Sequence, residues 1–203
     1  LRPVVEIQFA DFVTVTFDQI TTVALKLYYI PTGAVKVPMV IRLPYGVNMS
    51  GGYMTGAGPH HSQSLEAWFC HCAGLKVVMP SSAADAMGLM KAAIRDNNPV
   101  VFCEQKGLYF VSEDVPDEEY VVPLSTAAIK REGKDATIVA TGVTVGMALK
   151  VAERLAGQGI SVEVIDPRTL IPLDTKTIFN SGSKKGRVVI TQEASQTMGF
   201  CSE

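Results

Sequence analysis

Apolar positions divide the chain into two stretches of the same kind, in each of which short apolar runs alternate with segments of helical period. Residues 4–12 are apolar apart from Glu6, Gln8 and Asp11, which predicts a buried strand running into a turn. Phe17, Ile20, Ala24 and Leu27 then recur at helical spacing, although the local Val/Thr content favours strand. Pro31-Thr32-Gly33 closes that segment, and residues 35–43 predict a second strand with Pro38 near its start. Leu65, Trp68, Phe69 and Cys72 predict a helix opening at Ser64, with Ser64 as its cap and Glu66 in its first turn. A strand over 75–79 follows. Ser82 and Asp85 then resemble a capping box with the shorter acid, opening a helix that turns Leu89, Ala92 and Ala93 inward. Asp96-Asn97-Asn98-Pro99 stops it before a buried strand over 100–103.

Past Gly107 the chain turns acidic and aperiodic, through Glu113, Asp114, Asp117, Glu118 and Glu119. This predicts a surface linker, residues 112–123, between a domain over 1–111 and another over 124–203. The second stretch predicts strands over 136–141, 160–166 and 187–192. Between them come a helix over 146–155, with Ala148, Val151 and Leu155 inward, and a short helix over 172–179. Gly157-Gln158-Gly159 ends the first of these helices. The fold class expected is therefore α/β: two parallel-sheet domains, each with helices on both faces in three layers. The final residues enter a further helix, so the second domain is expected to be incomplete.

A formal net charge of -2 gives no electrostatic footprint for nucleic acid or for a membrane surface. No apolar run is long enough to cross a bilayer, and the first residues do not read as a signal peptide. Three of the four cysteines (Cys70, Cys72, Cys103 and Cys201) sit inside apolar periodic segments. That pattern fits reduced, buried thiols in an intracellular protein better than a disulfide framework. Cys70-His71-Cys72 in mid-helix splays its thiols to different faces and has no second ligand pair, which argues against zinc.

Three polar constellations remain. Residues 44–60 are glycine-rich and too long for a turn, and they deliver His61 to the start of a helix. Gly56 and Gly58 lead to His61 rather than to the spacing of a phosphate loop. An imidazole on a cleft rim can transfer protons near neutrality, or it can simply hydrogen-bond its own loop. At the end of the helix before Pro99, free carbonyls join Asp96 and Asn98 as hard oxygen donors for a cation; the alternative is an ordinary helix stop. Phe12 falls just past a predicted strand end, where α/β proteins bind ligands, whereas spacing alone gives it a core role.

At these residues the sequence resembles a known family, the β-subunit of the thiamin-diphosphate-dependent component of 2-oxo-acid dehydrogenase complexes, as in the pyruvate, branched-chain and acetoin enzymes. The matching stretches are Arg2-Pro3 with Glu6 to Phe12, Phe17-Asp18-Gln19-Ile20, Val40-Ile41-Arg42, His61-Ser62-Gln63-Ser64, Gly74-Leu75-Lys76-Val77-Val78 and the run from Ala93 to Pro99. Past the linker they continue with Val164-Ile165-Asp166, Arg168-Thr169, Gln192-Glu193-Ala194 and Gly199-Phe200.

The resemblance implies a transketolase-like pyrimidine-binding domain, in part, followed by the opening of a transketolase-type C-terminal domain. It makes His61 the histidine of proton transfer and reductive acylation, and Phe12 the aromatic that contacts the aminopyrimidine of thiamin diphosphate. It makes Ala93, Ile94, Asp96 and Asn98, with carbonyls near Val37, Met39 and Val40, a potassium site. The diphosphate and Mg²⁺ would lie on an α-subunit within an α2β2 heterotetramer. The other partners implied are a dihydrolipoyl acyltransferase core and a second β-subunit, with no nucleic acid and no membrane. The compartment implied is the cytoplasm in a bacterium or the mitochondrial matrix in a eukaryote.

The family glutamate that bonds the pyrimidine ring lies upstream of the matching stretches, so this chain alone is expected to be inactive. A transketolase or deoxyxylulose-phosphate synthase piece shares the domain pair but not the His-Ser-Gln and Ala-Ile-Arg-Asp-Asn-Asn runs. A non-catalytic interaction subunit is the reading from a different class.

Overall fold

The computed structural model describes residues 1–50 and 53–202, without the side chains of residues 49, 50 and 53–55. Gly51 and Gly52, inside the predicted long loop, and Glu203 lie outside the described residues. The strands are β1 (Val4–Glu6), β2 (Val40–Tyr45), β3 (Asn48–Ser50), β4 (Tyr53–Thr55), β5 (Lys76–Val78), β6 (Val100–Gln105), β7 (Ala128–Arg131), β8 (Ala136–Ala140), β9 (Val162–Asp166), β10 (Thr169–Ile171) and β11 (Val188–Thr191). The helices are α1 (Leu25–Tyr29), α2 (Glu66–Cys70), α3 (Ala83–Arg95), α4 (Val143–Ala156) and α5 (Thr175–Lys185).

The first sheet runs β1-β2-β6-β5-β10 and is parallel except for β10. Side-chain alternation along its inner strands builds two cores. Ile41, Leu43, Tyr45, Val77, Val101 and Cys103 face Ile20, Leu25, Leu65 and Phe69. Val40, Val78, Val100 and Phe102 face Leu89 and Ala93 of α3 on the other side. The result is three layers. The apolar run at residues 4–12 is not one buried strand: β1 has a single neighbour, is exposed along its length, and gives way to a 3-10 helix over Ala10–Val15. The helical period after Phe17 is real, but it begins as a π-helical stretch, Gln19–Ala24, before tightening into α1. Leu27 faces solvent there.

In the second sheet the order is β11-β8-β9-β7. Its β11-β8 and β8-β9 pairs are parallel, whereas β7, which periodicity does not predict, pairs antiparallel with β9. Val145, Ala148 and Ala152 of α4 pack on Ala140, Val162 and Val164, while Val151, predicted inward, is half exposed. On the other face a polar chain is buried: Thr137 and Ser181 share a hydrogen bond of 2.5 Å, Ser181 donates to Glu163, and Lys185 Nζ pairs with Glu163 at 2.9 Å.

The two halves interlock. Strand β10 leaves the second half to extend the first sheet beside β5, and Met79 N–H donates to the Arg168 carbonyl at 2.8 Å. Residues 112–123 lie along α3: Val122 N–H donates to Gly88 O at 3.1 Å, Tyr120 Oη to Ala84 O at 2.7 Å, and Glu119 pairs with Lys91 and Arg95.

Candidate active site

Within the glycine-rich stretch β3 and β4 pair antiparallel, and the chain after β4 brings His61 against Phe9 and the 3-10 helix that follows β1. His61 stacks on Phe9, with ring centroids 4.5 Å apart and planes inclined by 28°. Phe12 meets the same imidazole edge-on at 5.4 Å and Phe9 edge-on at 5.9 Å, so three rings form one cluster. Phe12 is 43% exposed, which places it on the rim of this cluster rather than in the core. His61 Nδ1 and Asp11 Oδ1 are both buried without a hydrogen-bond partner among the described residues. A buried polar atom left unsatisfied costs roughly 1–3 kcal/mol.

Lys106, one residue past β6 and 5% exposed, completes the cluster. Its ammonium donates to the His61 carbonyl and lies 4.9 Å from the Phe9 ring centroid. Burial lowers its pKa, and the nearby carboxylates of Asp11 and Glu193 oppose that shift. Gln63 is held by Gly46, whose N–H donates to the Gln63 carbonyl at 3.1 Å. Ser64 does not cap α2: Leu65 occupies that position with no side-chain bond, because the helix is a single short turn anchored by Leu65 and Phe69. A cavity of about 1020 Å³ opens beside this loop, lined by Ser62, Gln63, Trp68, His71, Glu193 and Met198 among others.

The oxygen-rich exit of α3 lies apart from this cluster. Arg2 Nη1 donates to the carbonyls of Ile94 at 2.9 Å and Asp96 at 2.7 Å, and Arg2 Nη2 donates to Asn97 Oδ1 at 3.0 Å. The Asp96 carboxylate pairs with Lys76 and accepts from Asn98 N–H at 2.8 Å, while Ala93 O accepts from Asp96 N–H. Asn98 Nδ2 donates to Gly74 O at 3.2 Å. The segment carrying Val37, Met39 and Val40 is tied to the same exit by Val37 N–H on Asn97 O, by Val100 N–H on Met39 O and by Val40 N–H on Pro3 O. Two side-chain cations, Arg2 and Lys76, thus already engage oxygens at this exit.

Residues 1–111 match the family described as transketolase, pyrimidine binding domain, and residues 125–203 match transketolase, C-terminal domain. The chain belongs to this family. It is 43% identical over its whole length to the 2-oxoisovalerate dehydrogenase subunit beta of Bacillus subtilis (strain 168), spanning 61% of that protein. To the acetoin:2,6-dichlorophenolindophenol oxidoreductase subunit beta of Cupriavidus necator it is 45% identical, again over its whole length and 58% of the relative. Against the mitochondrial pyruvate dehydrogenase E1 component subunit beta-1 of Arabidopsis thaliana the figures are 44%, all of this chain and 55% of the relative. Among solved structures, a split-gene transketolase described as an inactive beta4 tetramer superposes with a TM-score of 0.78 at 25% identity, over 98% of this chain and 60% of that one. The chain therefore spans 55–61% of the length of these three relatives.

Within this transketolase-type pair of domains, the first half supplies the aromatic-histidine cluster and the second half supplies Glu193 beside it. Phe9, Lys106 and Gln105 were not legible as site residues from pattern. Position could have found Lys106, since it stands just past the C-terminal end of a buried parallel strand, where such sheets bind ligands.

Proposed function

We propose that this chain is the cofactor-facing portion of the β-subunit of a 2-oxo-acid dehydrogenase, which decarboxylates a 2-oxo acid oxidatively and transfers the acyl group to a lipoyl acceptor. The observation that carries this reading is the buried, unpartnered Nδ1 of His61, whose ring stacks on Phe9 and meets Phe12 edge-on in a chain whose relatives are dehydrogenase β-subunits. The cluster fits an aminopyrimidine: it offers aromatic faces beside the unpartnered Nδ1 of His61. Phe12 would hold the pyrimidine of thiamin diphosphate, and Lys106 fixes the His61 backbone. When bound, thiamin diphosphate supplies the carbanion stabilisation that decarboxylation needs. His61 exchanges a proton through its imidazole with the group being acylated, and the stacked rings exclude water from one side of that imidazole. We assign the domains to residues 1–111 and 124–203, joined by 112–123.

The diphosphate and Mg²⁺ are assigned to an α-subunit, within an α2β2 assembly that docks on an acyltransferase core. A potassium ion is assigned to the carbonyls of Ala93, Ile94 and Asp96 with Asn98 and the Val37, Met39 and Val40 segment. Arg2 and Lys76 hold several of these oxygens, so the ion would compete with two side-chain cations for them.

The test is to assemble the full-length β-subunit with its α-subunit and assay pyruvate, a branched-chain oxo acid and acetoin with thiamin diphosphate and a lipoyl domain, alongside ketol transfer between sugar phosphates. Lipoyl acylation that drops roughly a hundred- to ten-thousand-fold in His61→Ala supports the reading. Ketol transfer without acylation replaces it with a transketolase. No turnover of any substrate leaves an interaction subunit.

A further inference from the structure

Among the described residues, two hydrogen bonds tie residues 61–63 to the chain beyond their own turn. Lys106 Nζ donates to the His61 carbonyl, and Gly46 N–H donates to the Gln63 carbonyl. The bonds of His61 N–H to Gly58 O and of Ala57 N–H to Ser62 Oγ are local. Both long-range anchors sit next to a partner of one carboxylate. Glu193, two residues past β11, accepts from Val47 N–H through Oε1 at 2.7 Å and from Gln105 Nε2 through Oε2 at 2.7 Å. Gln105 Nε2 also donates to Val47 O at 2.9 Å, which closes the arrangement. Val47 follows Gly46 in the chain, and Gln105 precedes Lys106.

The packing is as tight as the bonding. Gly46 has φ +76°, and a Cβ there would lie 2.6 Å from Glu193 Oε2 and 2.9 Å from Gln105 Nε2, so the carboxylate rests directly on the Gly46 backbone. Burial raises the Glu193 pKa, while the Val47 N–H, the Gln105 amide and the Lys106 ammonium oppose the rise. Glu193 and Asp11 in turn favour the charged form of Lys106. Hydrogen bonds to a partly buried carboxylate are charge-assisted and correspondingly strong.

We infer that Glu193 is a positioning residue, the point at which the C-terminal domain fixes the His61 loop of the pyrimidine-binding domain. It acts through Gly46-Val47 on one arm and Gln105-Lys106 on the other. This rests on the role given to His61 above. Glu193 sets where the imidazole stands, and the second domain thereby enters the chemistry of the first.

The experiment uses the full-length β-subunit assembled with its α-subunit, carrying Glu193→Ala or Glu193→Gln. Amide hydrogen exchange is read for segments 44–48, 57–65 and 143–156, and lipoyl acylation is compared with decarboxylation to an artificial electron acceptor. In Glu193→Ala, exchange should accelerate about tenfold or more at 44–48 and 57–65 and stay unchanged over α4. Acylation should fall more than decarboxylation. Glu193→Gln should be intermediate, because it keeps the acceptor for Val47 but turns an N–H towards Gln105; it also carries the comparison if the alanine variant does not assemble. Unchanged exchange at 57–65, or equal acceleration over all three segments, overturns the inference. If the unsubstituted enzyme does not acylate the lipoyl domain, the reading of the reaction fails, while the exchange data still decide the role of Glu193.

Discussion

Arg168 Nη1 stands 2.8 Å from Asp85 Oδ1, joining the turn between β9 and β10 in the second half of the chain to the first turn of α3 in the first half. Lys130 of β7 reaches the other carboxylate oxygen at 2.5 Å, and Ser82 Oγ donates to it at 3.0 Å. Burial alone would raise the Asp85 pKa, yet hydrogen bonds from Lys130 and Arg168 outweigh burial and hold it below the usual carboxylate range. Arg168 is itself fixed by Nε on the Thr126 carbonyl at 3.0 Å and by its N–H on Asp166 Oδ1 at 2.8 Å.

Removing one partner of such a shielded group leaves the others uncompensated. Asp85→Asn should therefore cost about 3 kcal/mol, near the lower end for a broken buried pair, and lower the melting temperature. A double-mutant cycle of Asp85→Asn with Arg168→Met should show coupling of about 1 kcal/mol or more. Strict additivity in that cycle would mean that the two halves are held by β10 pairing and apolar contact alone.

Glu66 makes stability depend on pH. It is 3% exposed in the first turn of α2, its Oε2 has no hydrogen-bond partner among the described residues, and burial, with Glu193 nearby, pushes its pKa up to about 7. The folded value lies above the unfolded one of about 4.3, so its favourable contribution is complete below pH about 4 and is lost as pH rises through 7. Asp166, pushed up by burial to about 6, acts in the same direction over a lower window. Glu66→Gln should therefore stabilise the protein at pH 8 relative to wild type by on the order of 3 kcal/mol and change little at pH 4. Urea midpoints at the two pH values check this. An equal shift at both would mean that Glu66 does not carry the slope.

Much of the fold was legible because it rests on local chemistry that pattern reads directly. Ser82 caps α3 by accepting from Asp85 N–H at 3.2 Å, and the apolar run from Val100 is the central strand β6, as expected. What pattern missed depends on partners far along the chain. Thr169–Ile171 is too short to show a period, and only its pairing with Val77 and Val78 makes it a strand. The acidic linker reads as a solvated stretch, yet Tyr120 and Val122 seat it on α3. At the site, the histidine announced itself through its glycine-rich approach. Lys106 did not, since its residue type does not tell a buried ammonium from a surface one and only its place just past β6 points to it.

The seat of the linker makes Gly88 a sensitive position. A Cβ there would stand 2.5 Å from Val122 Cγ2 and 2.8 Å from Tyr120 Cε2, closer than any side chain tolerates. Gly88→Ala should therefore lift the linker and cost about 1–3 kcal/mol, against the usual helix gain of alanine over glycine. Cleavage by a glutamate-specific protease at 113–119 should rise with it. A variant as stable and as resistant as wild type would show that the linker contact contributes nothing.

Potassium binding at the exit of α3 can be separated from the structural role of the same residues by asking only for the difference between salts. Asp96→Ala removes a carboxylate that pairs with Lys76 and accepts from Asn98, so the variant should melt lower in every buffer. An ion that binds only the native state adds RT ln(1 + [L]/Kd), about 1.4 kcal/mol at ten times Kd. Wild type should therefore melt higher in potassium chloride than in tetramethylammonium chloride at equal ionic strength, and Asp96→Ala should lose that difference. Arg2→Ala supplies the opposite test. Its guanidinium occupies the carbonyls of Ile94 and Asp96, so removing it should lower stability without potassium and widen the gain that potassium brings. If wild type melts identically in the two salts and Arg2→Ala does not open a gap between them, Arg2 and Lys76 are the only cations this helix end uses.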